Sequence, residues 1–277
     1  MNRQPIWICF VLLFVVCLFS HSCVIRIVDK YDNRGLIPIE DYQRNIRFSP
    51  GGMISLRNFD GIIEVTGWDQ NEVQIYAEKM SPRSEGSSIR FALPKHDIAH
   101  IELEKYGEEN IYINTKSTSR EGEDTIVDYY IKTPRLVYIK EILARNGDVF
   151  IADVYGSVSV KLEKGTIKVD NFSGSLDASV LEGSISTRFF DLRKEDVITL
   201  NSQQGDIVVQ LQKSVNARIK ALYPQGEFVT EFDLSHQESK EDNQVDMKLG
   251  EGGASLYITA HNGDIEVKII ESMENDS

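Results

Sequence analysis

The sequence predicts an all-β chain built as a β-solenoid, and three observations carry that reading. Apolar and polar residues alternate with a period of two from Ile46 onward, as in Ile63 and Val65, then Val73, Ile75 and Ala77. No stretch beyond the N-terminus keeps a helical period. Glycines stand at 147, 156, 165, 174 and 183, nine residues apart each time.

The repeat sets a register. Two residues after each glycine come Val149, Val158, Ile167, Leu176 and Ile185, and four after come Ile151, Val160, Val169, Ala178 and Thr187. The positions between are mostly polar, such as Asp148, Ser157, Thr166, Ser159 and Lys168, as an outward strand face requires. Each unit reads as a glycine corner and a short strand with one apolar face. Such a unit buries that face only by stacking on its neighbours. The phrase recurs at Gly205 with Ile207 and Val209, at Gly263 with Ile265 and Val267, and earlier at Gly61 with Ile63 and Val65. Glycine suits a corner because it takes positive φ and adds no Cβ against the next rung. Asn146 and Asn262 before the glycines strengthen the turn reading, but Asn-Gly also signals hairpins, so a series of hairpins competes with the solenoid.

The N-terminus reads as a secretory signal over residues 1–22. Arg3 precedes an apolar run from Ile6 to Phe19, too short for the ~20 residues of a spanning helix. All three cysteines, Cys9, Cys17 and Cys23, lie here, so cleavage before Cys23 leaves one thiol and no internal disulfide. A cysteine after a small residue at the end of such a run resembles the lipobox of bacterial lipoproteins. That resemblance makes Cys23 the expected lipidation site, in competition with plain cleavage or a retained anchor. Residues 23–45 read as a tether, 46–270 as the solenoid domain, and 271–277 as a disordered tail.

Charge narrows the partners. The 277-residue chain holds 43 acidic against 30 basic side chains, a net charge of −13, and no Lys/Arg cluster able to track phosphates. Nucleic acid is excluded as an expected partner, and attachment to a membrane should come from the N-terminal lipid.

Over Ile46 to Ile270 the sequence resembles the bacterial putative-adhesin family, glycine-repeat β-solenoid domains of mostly unassigned function. The resemblance rests on Gly52-Met53-Ile54-Ser55-Leu56, on Asp60-Gly61-Ile62-Ile63-Glu64-Val65-Thr66-Gly67-Trp68, and on Asn146-Gly147-Asp148-Val149 and Gln204-Gly205-Asp206-Ile207. It rests also on Gly250-Glu251-Gly252-Gly253 before Asn262-Gly263-Asp264-Ile265. It implies a right-handed parallel β-solenoid at the cell envelope and carries no catalytic residues. The stretch from Arg188 to Asp196 departs from the spacing.

Chemistry-bearing residues read mostly as surface. Asp148, Asp206 and Asp264 follow glycines but lack the paired glycines of a calcium nonapeptide, so they read as solvated carboxylates. Asp170 and Asp177 are the nearest approach to an acid/base pair. His96 and His100 have metal-ligand spacing without the intervening glutamate, and His236 and His261 stand alone. Tyr129, Tyr130, Tyr138, Phe150, Tyr155, Phe189 and Phe190 are divided between core packing and an exposed binding strip. The expectation is therefore a non-enzymatic envelope lipoprotein without metal or cofactor, presenting a β surface to an envelope protein or polysaccharide. A carbohydrate-active β-helix enzyme and an envelope-stress regulator are the alternatives.

Overall fold

Alternating apolar residues become strands along almost all of the chain that the computed structural model describes, residues 36–82, 99–117, 126–233, 237–241 and 243–270. The first are β1 (Leu36–Arg47), β2 (Met53–Arg57), β3 (Ile63–Trp68), β4 (Glu72–Pro82), β5 (Ala99–Tyr106), β6 (Asn110–Ser117) and β7 (Ile126–Pro134). The glycine-rich middle forms β8 (Leu136–Asn146), β9 (Val149–Ala152), β10 (Tyr155–Lys164), β11 (Ile167–Glu182), β12 (Ile185–Asp191), β13 (Val197–Gln204) and β14 (Ile207–Leu211). Then come β15 (Ala217–Leu222), β16 (Phe228–Thr230), β17 (Gln237–Glu241), β18 (Gln244–Leu249), β19 (Ala254–Ala260) and β20 (Ile265–Ile269). The described residues contain no helix. The signal segment, Cys23 and residues 271–277 lie outside them. β1 begins at Leu36, within the stretch 23–45 read as a tether, and is antiparallel to β4.

The strands form one sheet that curls into two walls. The first wall runs β7, β3, β9, the first half of β11, β12, β14, β20 and β16, all parallel. The second runs β6, β2, β8, β10, the second half of β11, β13, β19 and β15, again parallel. β11 belongs to both because the chain bends at Asn171, whose φ is +49°. Asp153, with φ +58°, makes the same bend one rung earlier, and the Asn171 amide donates to its carboxylate. Between the walls lie the residues two and four after the glycines, among them Val149, Ile151, Val158, Val160, Ile167 and Val169, all buried. Each contributes roughly 1.5–3 kcal/mol by leaving water. Phe172 and Phe189 meet edge to face at the bend, their centroids 5.9 Å apart.

Two findings overturn the expected right-handed parallel β-solenoid. Antiparallel strands close both ends: β1 and β4 on β7, β5 on β6, and β17 and β18 on β15. The rungs are also not stacked in chain order. The β2–β3 rung lies between β6–β7 and β8–β9, and the β19–β20 rung lies between β13–β14 and β15–β16. The fold is a curled, partly antiparallel open sheet.

Glycine corners every nine residues are corrected as well. Gly156 and Gly174 lie inside β10 and β11 and pair with each other in register. Gly147, Gly165, Gly183, Gly205 and Gly263 fall in the breaks where the chain passes from the second wall to the first. A period of nine in sequence is thus eighteen in space, with two glycine columns. Hairpins do occur, at β5–β6 and β17–β18, but the glycine-rich middle pairs in parallel.

Candidate functional site

The longer glycine column is closed to anything but backbone. A Cβ on Gly165 would stand 1.8 Å from the Gly147 carbonyl oxygen, and one on Gly183 1.8 Å from that of Gly165. Four aspartates beside this column use their carboxylates as caps. Asp128 accepts the Ile62 N–H at 2.7 Å, Asp148 that of Thr166 at 2.9 Å, Asp206 that of Asp264 at 2.9 Å, and Asp264 that of Glu227 at 2.8 Å. Asp148, Asp206 and Asp264 are therefore structural acceptors that tie one rung to the next. Among the described residues no group of three or more His, Cys, Asp or Glu is placed to hold a metal.

The remaining candidates scatter. Asp170 lies on the first wall in an ion pair with Arg188, 2.6 Å from Nε, and Asp177 points outward from the second wall, so the two do not face each other. His100 is on β5 and His261 in the turn after β19, and His96 and His236 are outside the described residues.

The structure brings together a carboxylate pair that the sequence reading did not single out. Glu78 on β4 and Asp128 on β7 are cross-strand partners, 5% and 0% exposed. Loss of water, reinforced by the Asp128 charge, raises the Glu78 pKa above its ordinary value. The Tyr76 hydroxyl donates to Glu78 at 2.5 Å, and Asp41 of β1 stands opposite Glu78. Such a sealed pair cannot reach a substrate. The depression beside it is lined by Gln43, Glu64, Tyr76, Tyr130 and Lys132, without either acid.

The aromatics divide between core and surface. Tyr129 and Phe189 are buried, and the Tyr129 hydroxyl is 2.7 Å from Thr115 Oγ1. Burial pushes the Tyr129 phenol well above its ordinary pKa. Tyr130 and Phe150 are half-buried on the outer side of the first wall, and Phe190 is exposed at the end of β12. Tyr138 and Tyr155 stand on the outer face of the second wall, 47% and 36% exposed, with Leu136 in register beside Tyr155.

That outer face is ordered by register into rows crossing the strands. One row reads Tyr106, Asn110, Met53, Tyr138, Ser157, Ser175, Val197 and Ser255, uncharged until it reaches Arg218 on β15. The next includes Glu104, Tyr112 and Ser55 at one end and Asp177, Thr199 and Tyr257 toward the other. Tyr106 and Tyr112 meet edge to face at 5.7 Å. Tyr257, 45% exposed, borders a shallow depression of about 320 Å³ with Lys220, Leu222, Asp246 and Thr259. Tyr106, Tyr112 and Tyr257 were not singled out in the sequence, where no local pattern places them on one face with Tyr138 and Tyr155.

These features define an all-β, repeat-containing module whose accessible chemistry is on its outer walls. The Toastrack DUF4097 family model matches residues 58–268, and the chain belongs to that family. No curated protein matches it. A "putative cell adhesion protein" from Clostridium sporogenes is similar in structure, at 10% identity and a TM-score of 0.47, covering 83% of this chain and 100% of its own. A "putative adhesin" from Bacteroides fragilis is 12% identical with a TM-score of 0.32, covering 83% of this chain and 97% of its own. A "putative lipid binding protein" from Parabacteroides distasonis is 11% identical with a TM-score of 0.26, covering 84% and 97%.

Proposed function

We propose that this chain is a non-catalytic module of the bacterial cell envelope that presents its outer sheet surface for adhesion or scaffolding. Residues 1–22 direct it across the inner membrane, and a lipid on Cys23 holds it there. The observation that carries the reading is the outer face of the second wall, an ordered surface with exposed Leu136, Tyr138, Tyr155, Val197 and Tyr257. Leu136, Tyr138 and Tyr155 adjoin on neighbouring strands, and contiguous exposed apolar side chains mark interaction surfaces. Glu78 and Asp128 are sealed, and Asp128, Asp148, Asp206 and Asp264 cap backbone N–H groups, which supports binding over catalysis.

Two measurements test the reading. Cells fed a clickable fatty acid should label the wild-type chain and not Cys23→Ala; equal label in both would sink the lipid anchor. The purified chain should sediment with isolated bacterial envelopes, and failure to do so would sink the adhesion role.

A further inference from the structure

The outer face of the second wall has the chemistry of a sugar platform, and we infer that it binds an extended, neutral, β-linked glycan laid across the strands. The inference rests on the adhesion reading above and names the ligand class for it. Tyr138 and Tyr155 sit on adjacent strands with Leu136 in register beside Tyr155, which gives a patch of two rings and an aliphatic side chain for the apolar faces of pyranose units. Beyond the patch the surface turns to hydroxyls. Ser157 and Ser175 follow Tyr138 strand by strand, and exposed Tyr257 stands on β19 one row over from them, beside Lys220 of β15.

The spacing fits a linear polymer. Neighbouring strands lie about 4.8 Å apart, close to the length of one pyranose along an extended chain. Every strand crossed thus offers the next sugar one outward side chain in register. Tyr138 and Tyr257 are four strand steps apart, about 19 Å by the same spacing, so the ring platform at one end and Tyr257 at the other can be spanned by a short oligosaccharide.

Charge decides the class of polymer. The chain carries a net −13, which repels uronate- or sulfate-bearing glycans, while the row from Tyr106 to Ser255 is uncharged and meets a charge only at Arg218 of β15. Asp177, exposed between Ser159 and Thr199, is an acceptor for sugar hydroxyls and would oppose an anionic ligand. A protein partner of this acidic molecule would be expected to bring a basic patch, for which the uncharged row has no counterpart.

Affinity electrophoresis of the full chain through gels containing hydroxyethyl cellulose or carboxymethyl cellulose tests the inference, since the two share a backbone and differ in charge. The neutral polymer should retard the protein and the anionic one should not. Tyr138→Ala and Tyr155→Ala should each weaken retardation on the order of tenfold, a change of about 1.4 kcal/mol. Phe190→Ala, whose ring is exposed elsewhere, should leave it unchanged, and thermal melts of all three should match the parent. No retardation by hydroxyethyl cellulose, or equal retardation by both polymers, overturns the inference. Envelopes separate its failure from that of the broader reading. Retention on protease-stripped envelopes that is lost after periodate oxidation supports a glycan. Retention that survives periodate and is lost on proteolysis overturns the glycan and leaves adhesion standing, while no retention on either overturns both.

Discussion

A methyl group at Gly165 has nowhere to go. Its Cβ would meet backbone at 1.8 Å, and the residue has φ +132°, which side chains rarely adopt. Because the atom in the way is a carbonyl of the rung beneath, relief requires moving a rung rather than a rotamer. Gly165→Ala should therefore cost roughly 3 kcal/mol or more in urea unfolding. Gly107, in the β5–β6 turn, has φ +65° and open space around it, so Gly107→Ala should cost only about 1 kcal/mol. Equal costs would refute the close-stacking account. The caps offer a second residue-scale test. Asp148→Ala strands the Thr166 N–H and should cost about 1–2 kcal/mol, whereas Asp148→Asn keeps an oxygen acceptor and should recover most of it in the same assay. The special conformation of Gly147 and Gly165 was legible in the sequence because glycine alone suits it. The caps were not: the Gly-Asp phrase reads as a solvated carboxylate at Asp148, and Asp128, which follows Val127 in place of glycine, lacks even that phrase.

At the scale of the strand, the end formed by β1, β4 and β7 carries the buried acids. The Glu78 pKa is raised in the folded chain, so the folded state keeps a proton that the unfolded chain, with an ordinary value near 4.5, has released. The stability Glu78 contributes is complete below that ordinary value and is lost as pH rises through the raised one. Urea midpoints should accordingly fall as pH rises from about 4.5, and Glu78→Gln should flatten the profile; an unchanged slope in the variant would assign it elsewhere. Sequence alternation located β4 and β7 but could not pair them, because Glu78 and Asp128 are 50 positions apart on strands whose register no local pattern encodes. The same limit explains Gly156 and Gly174. Their spacing matches that of the corner glycines, and only the pairing of β10 with β11 shows that they lie within strands.

At the scale of the molecule, rung order separates this fold from a solenoid and makes a prediction of its own. In a solenoid wound in chain order, β15–β16 would rest on β13–β14, and removing the last rung would expose only an end. Here β15 reaches the body through β19, and β16 pairs with β20. β18 and β17 in turn hang on β15 and on each other. The inserted rung also buries Leu256, Ile258, Ile265 and Val267, each 0–1% exposed, against both neighbours. A chain ended at Leu249 thus loses the rung that joins residues 217–249 to everything before them, and a small antiparallel unit of that size is marginal by itself. Hydrogen exchange on the shortened chain should show protection lost throughout β15, β16 and β18 while β9, β10 and β11 keep theirs, whose partners all remain. Should β15 stay protected, it would have to be docked on β13 directly, as chain-order winding requires.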